Sequence, residues 1–156
     1  MHTDLHVALV HPEIAWNTGN AGHTCLAMGA QLHLVEPLGF VLDDRRVRRA
    51  GLDYWPHVAP RVWPTVDALL DALPNLGAPL ALTAEGERAI WDVDLRGPTV
   101  FLFGSEPRGL PRALRERADI PSARVPMDAS VVRSLNVSTV VGMTLAEARR
   151  QRASGG

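Results

Sequence analysis

The chain contains no lysine: all 16 of its basic residues are arginine. The bias fits a GC-rich genome, and composition alone gives no support to a selection for bidentate phosphate contacts. It has a single cysteine, Cys25, which excludes an intramolecular disulfide. Aromatic residues are 5% of the total, so base-stacking platforms are few. A net charge of −1 excludes a protein that coats nucleic acid non-specifically. Any RNA contact has to come from a local patch or from a partner subunit. Long hydrophobic runs are also missing. Met1-His2-Thr3-Asp4 is not basic and leads into six mainly apolar residues, which make neither a signal peptide nor a membrane span. A cytoplasmic location is expected, with no membrane partner. No internal repeat or long low-complexity stretch occurs, and only residues 153–156 read as a frayed tail.

What is present suits one domain, residues 1–156. The length is ordinary for a single domain, and 46% of residues are apolar, enough for a core. Leu5 to Val10 reads as a buried strand ended by His11-Pro12. Asn17 to Asn20 reads as a loop entering a helix that runs to about Met28, with Asn or Thr as its cap and Gly29 as its stop. Gln31 to Val35 is a second strand, closed by Pro37 and Gly39. Asp43 to Ala50 is a short helix, acidic first and basic later, as the helix dipole prefers. Residues 54–64 read as irregular. Thr65 to Leu73 is helical, with Val66, Leu69, Leu70 and Leu73 at core spacing. Leu80 to Thr83, Thr99 to Phe103 and Ala123 to Val125 are further strands. Arg112 to Arg117 and Asn136 to about Arg150 are helices. Apolar strands alternating with helices imply an α/β fold with a parallel sheet covered on both faces. Ligands in such sheets sit beyond the carboxyl ends of the strands.

Three segments carry candidate chemistry. Asn17-Thr18-Gly19-Asn20-Ala21-Gly22-His23 either caps a helix or offers backbone N–H groups to a phosphate or hydroxyl. It is neither a phosphate-binding NTPase loop nor a dinucleotide fingerprint, because no Gly-Lys-Ser/Thr and no third glycine follow. That excludes the usual dehydrogenase reading. Phe103-Gly104-Ser105-Glu106-Pro107-Arg108-Gly109-Leu110-Pro111 is either a charged surface turn or a loop whose glycines let backbone approach a ligand. Val125-Pro126-Met127 through Ser134-Leu135-Asn136-Val137-Ser138 ends in polar side chains that cap the last helix or bind a ribose or carboxylate.

Taken together and in this order, the three segments resemble the signature motifs of the SpoU branch of the SPOUT RNA methyltransferases. Within it, the chain is most similar to the short, single-domain TrmL (YibK-like) tRNA cytidine/uridine 2′-O-methyltransferases. The resemblance runs from about residue 5 to residue 151. It takes in Pro12-Glu13-Ile14, Leu32 to Phe40, Asp43-Asp44-Arg45-Arg46 and Arg48 to Tyr54.

The resemblance implies a single-domain SPOUT fold, with a C-terminal trefoil knot over roughly residues 80–150, and a homodimer whose substrate site spans both subunits. Apolar residues of the final helix, Val140, Val141, Met143 and Leu145, exceed one core face and suit such an interface. The implied cofactor is S-adenosyl-L-methionine, held mainly by backbone at Leu82, Thr83, Gly104, Glu106, Val125, Met127, Ser134 and Leu135. No metal is implied. The implied substrate is a tRNA, methylated on the ribose of nucleotide 34, cytidine or uridine, of a leucine tRNA. Asn17, Asn20, Glu106 and Asn136 are the implied catalytic and positioning residues, with Ser138 read as helix capping. Arg108, with the patch Arg45, Arg46, Arg48 and Arg49, is the implied RNA contact; Asp43 and Asp44 partly cancel that patch, and a solvated helix face is its other reading. The chain departs from the family pattern at His23, where an arginine is usual. A neutral imidazole suits a general base but clamps phosphate less well than a guanidinium. The alternative is therefore an impaired relative that binds RNA or the donor without transferring.

Overall fold

The computed structural model describes residues 4–42, 45–50 and 54–154. Seven strands form one parallel sheet: β1 (Leu5–Val10), β2 (Gln31–Val35), β3 (Arg61–Trp63), β4 (Ala78–Leu82), β5 (Arg88–Ala89), β6 (Thr99–Phe103) and β7 (Ser122–Arg124). Their order across the sheet is β3-β2-β1-β6-β4-β7-β5. The inner strand β1 is registered on both sides, with Ala8 opposite His33 of β2 and Leu102 of β6. All residues of β1 and β6 are buried. A strand covered on both faces needs continuous apolar character rather than alternation, which is how these two segments read.

Alternate side chains still go to different layers. Leu5, Val7 and Leu9 with Phe101 and Phe103 pack beneath α1 (Ala15–Met28) and α6 (Val137–Ser154). Ala8, Val10, Val100 and Leu102 pack beneath α4 (Val66–Leu76) and α5 (Arg112–Arg115) through Leu69, Leu73 and Leu114. Two short helices, α2 (Arg45–Ala50) and α3 (Trp55–Val58), complete the α1 layer. Among the described residues, no helix is long and apolar enough to cross a membrane.

Several boundaries depart from the sequence reading. The stretch Asn17 to Asn20 is not a loop but lies inside α1, whose N-cap is Ile14 with no side-chain cap bond. Asn, Thr and Gly each cost roughly 0.5–1 kcal/mol relative to Ala in a helix interior. Packing outweighs that here: Asn17, Thr18 and Gly19 are buried. Gly29 ends the helix as expected, at φ 74°. Residues 54–64 hold α3 and the edge strand β3 instead of irregular chain. The two-residue β5 and the 3₁₀ turn Ile90–Asp92 carry no sequence signal. Helix α6 runs to Ser154, so Ala153 and Ser154 are helical, not frayed. Asp43, Asp44, Gly51, Leu52 and Asp53 of the quoted segments lie outside the described residues, as do residues 1–3, 155 and 156.

Candidate active site at the carboxyl edge of the sheet

The loops after β4, β6 and β7 surround a cavity of about 560 Å³. That is an ordinary size for a small-molecule site. Leu82 and Thr83 come from the end of β4, Gly104 and Glu106 from the loop after β6. Val125, Met127, Ser134 and Leu135 come from the segment between β7 and α6. Asn17 and Asn136 also line it, and so do Ile14, Val137 and Val140, to which the sequence reading assigned no place in the site. Their signal was an apolar side chain in or beside a motif. The sequence reading sets Val140 with Val141, Met143 and Leu145 at an interface, but Val141 and Leu145 are buried in the chain's own core and Met143 is the exposed one of the four.

Two crossings of backbone shape this cavity. The loop after β6 doubles back, with Gly109 N–H donating to Ser105 O at 2.9 Å. A Cβ on Gly104 would lie 2.0 Å from the backbone of Gly109 and Leu110, so no other residue fits. The turn after β4 is equally tight: Thr83 N–H donates to Ala123 O at 3.0 Å. A Cβ on Gly86 would lie 2.1 Å from the Ala123 carbonyl carbon.

A chain of hydrogen bonds joins the three motifs along one wall. Glu106 accepts from the Glu13 backbone N–H at 2.9 Å and from the Asn17 amide at 3.4 Å. Asn17 Oδ1 accepts from the Asn136 amide at 2.9 Å. Asn136 Oδ1 accepts from Ser138 N–H at 2.9 Å, which caps α6, and from the Ser138 hydroxyl at 2.6 Å. The Ser138 hydroxyl in turn accepts from the Asn20 amide at 2.9 Å. Helix capping in the third motif is thus done by Asn136, and Ser138 bridges the first and third motifs instead.

The structure does not bring every candidate together. His23 does not line the cavity; it lies further along α1, with its ring 5.1 Å from that of Tyr54. Among the described residues, Asn20 reaches the site only through Ser138. Arg45, Arg46, Arg48 and Arg49 lie on α2 beside α1, away from the cavity lining. Arg108 does line it.

A parallel sheet flanked by helices, with a nucleoside-sized cavity at its carboxyl edge, defines a ligand-binding α/β enzyme domain. The cavity wall offers apolar side chains (Leu82, Val125, Leu135) beside a carboxylate and amides. That mixture fits S-adenosylmethionine, which has an aromatic base, hydroxyls and a cationic sulfonium. Comparison with known proteins makes the class specific. Residues 4–146 match the SpoU rRNA Methylase family. The chain is 45% identical over 150 residues to the tRNA (cytidine(34)-2′-O)-methyltransferase of Acidovorax sp. (strain JS42), covering 94% of this chain and 91% of that protein. A solved structure giving insights into the 2-OH methylation of C/U34 on tRNA superposes with a TM-score of 0.89 at 43% identity, covering 97% of both chains. The SpoU methyltransferase AviRb from Streptomyces viridochromogenes, in complex with the cofactor AdoMet, superposes with a TM-score of 0.87 at 26% identity, over 100% of this chain and 61% of that one. The chain belongs to the SpoU methylase family.

Proposed function

We propose that the chain transfers a methyl group from S-adenosylmethionine to the ribose 2′-hydroxyl of tRNA nucleotide 34, cytidine or uridine, in a leucine tRNA, and works as a cytoplasmic homodimer. The observation that carries this reading is the hydrogen-bonded chain Glu106–Asn17–Asn136, continued to Ser138, along one wall of a cavity whose lining also holds the apolar Leu82, Val125 and Leu135. The donor supplies an electrophilic methyl on a sulfonium. The protein has to align an alcohol with that carbon and relieve it of a proton. Glu106 is the anionic member of the chain, fixed by two donors and therefore pre-organised to accept a hydrogen bond. Asn136 donates to Asn17 and Asn17 donates to Glu106, which ties the wall together.

His23 is assigned the acceptor side. In a homodimer whose substrate site spans two subunits, it need not line the cavity of its own chain. The threading of residues 80–150 as a trefoil knot belongs to the same reading, supported by the close crossing of residues 83–86 over Ala123. The intact polar wall favours transfer over a relative that merely binds.

The test is nucleoside mass spectrometry of unmodified tRNA incubated with the protein and donor. The expected result is 2′-O-methylcytidine or 2′-O-methyluridine mapping to nucleotide 34. Donor binding in a calorimeter with no methylated nucleoside would support the impaired relative instead.

A further inference from the structure

A second hollow, of about 520 Å³, lies against the same loop after β6 and shares Arg108, Gly109 and Arg115 with the donor cavity. We propose that it seats a phosphodiester of the bound RNA, gripped by Arg108, Arg112 and Arg115, with His11 at its wall. This rests on the tRNA substrate of the previous section and adds a site to it.

Three arginines line this hollow, and Glu13 is the carboxylate residue lining it. Arg108 makes no hydrogen bond or ion pair among the described residues, so its whole fork is available. Arg115 uses only Nε, donating to Leu110 O at 3.0 Å. Arg112 is paired with Glu116 through Nε at 2.7 Å, and that pair is solvent-exposed. An exposed pair of this kind is weak and exchanges readily for a better anion. Guanidinium groups match the oxygen geometry of a phosphate and hold it bidentately.

His11 adds an independent sign. It ends β1 at φ 55°, a left-handed conformation uncommon for residues with a side chain. Its Nδ1 is buried with no hydrogen-bond partner. Both features place a residue with strained backbone and one buried, unpartnered ring nitrogen at the wall of a hollow lined by three arginines, where such strain tends to be functional. The location matters too. The two cavities share one loop, so a phosphate held in the second lies next to a nucleotide whose ribose meets the first. A chain of net charge −1 has to hold RNA through a local patch or a partner subunit, and this hollow supplies such a patch.

The experiment measures tRNA binding by fluorescence anisotropy, from about 50 to 200 mM salt, for wild type, Arg108→Ala and Arg112→Ala. Each substitution is expected to weaken tRNA binding about tenfold near 0.1 M salt and to lower the salt slope by about one. Arg112 does not line the donor cavity, so Arg112→Ala should keep wild-type affinity for S-adenosylhomocysteine in a calorimeter. Both side chains are exposed, so the fold is not at stake. Unchanged tRNA affinity and slope in both variants, with wild type still methylating tRNA, would overturn the phosphate site and leave the proposed function standing. Inorganic phosphate that binds wild type and is not displaced by tRNA would overturn it as well, in favour of a free-phosphate site. A wild-type protein that neither binds nor methylates tRNA would overturn both readings.

Discussion

Acid should destabilise this protein through one buried histidine. His33 of β2 has no solvent exposure. The Trp63 indole N–H donates to His33 Nδ1 at 3.0 Å. That nitrogen therefore carries no proton, and the network assigns the ring's hydrogen to Nε2, which faces His6 Nδ1 at 2.9 Å. Protonating His33 would set an N–H against the indole N–H and bury a charge. Burial, aided by the His6 and Arg61 charges, accordingly lowers its pKa to about 3 from the ordinary 6.5. The sign follows from linkage. The unfolded chain takes up this proton below pH 6.5 and the folded chain only near pH 3. The neutral-state stability is thus complete above 6.5 and is lost progressively as pH falls towards 3. The slope is about 1.4 kcal/mol per pH unit, giving a loss of about 2 kcal/mol between pH 7 and pH 5. Urea unfolding at both pH values, at one protein concentration, measures it. His33→Gln keeps an acceptor for Trp63 and a donor for His6 but does not titrate. Its loss over the same interval should be smaller than wild type's by about 2 kcal/mol. Equal losses in the two proteins would refute the reasoning.

Other outcomes are expected at the site and in the core. Gly104→Ala places a Cβ 2.0 Å from the Gly109 and Leu110 backbone. Calorimetry should show donor affinity lower by tenfold or more, about 1.4 kcal/mol; wild-type affinity would mean that the loop can open without cost. Burial pushes the Cys25 thiol up to about 12. A thiol reagent at pH 8 should leave the native protein unlabelled and modify one thiol per chain in denaturant, and rapid native labelling would contradict the packing of α1. His23→Ala should lower kcat on the order of a hundredfold on tRNA with donor affinity unchanged, and full turnover would remove His23 from the chemistry.

The core strands were legible because they are buried on both faces. Leu5 to Val10 and Thr99 to Phe103 are uninterrupted apolar runs, and both fall where the sequence places them. The edge of the sheet was not. Arg61-Val62-Trp63 is short and largely exposed, and its pairing with β2 is set by tertiary contact. Asn17-Thr18-Gly19-Asn20 misled for a physical reason. Those residues favour turns locally, yet here the two asparagine side chains serve hydrogen bonds with partners some ninety residues or more away, Asn17 with Glu106 and Asn136, and Asn20 with Ser138. The same holds for the site. Each motif was visible, but the wall that joins Glu106, Asn17, Asn136 and Ser138 is a product of the fold. The hollow beside Arg112 was legible only at Arg108, because Arg112 and Arg115 on α5 and His11 after β1 are brought together by the fold.

The central claim is that this cavity serves methyl transfer to a ribose 2′-hydroxyl of nucleotide 34. The most direct measurement compares two tRNAs that differ only there, one with the normal ribose and one with 2′-deoxyribose at nucleotide 34, using radiolabelled donor. Label should enter the first and not the second. Equal labelling of both would contradict the account, because the methyl would then be going to another atom.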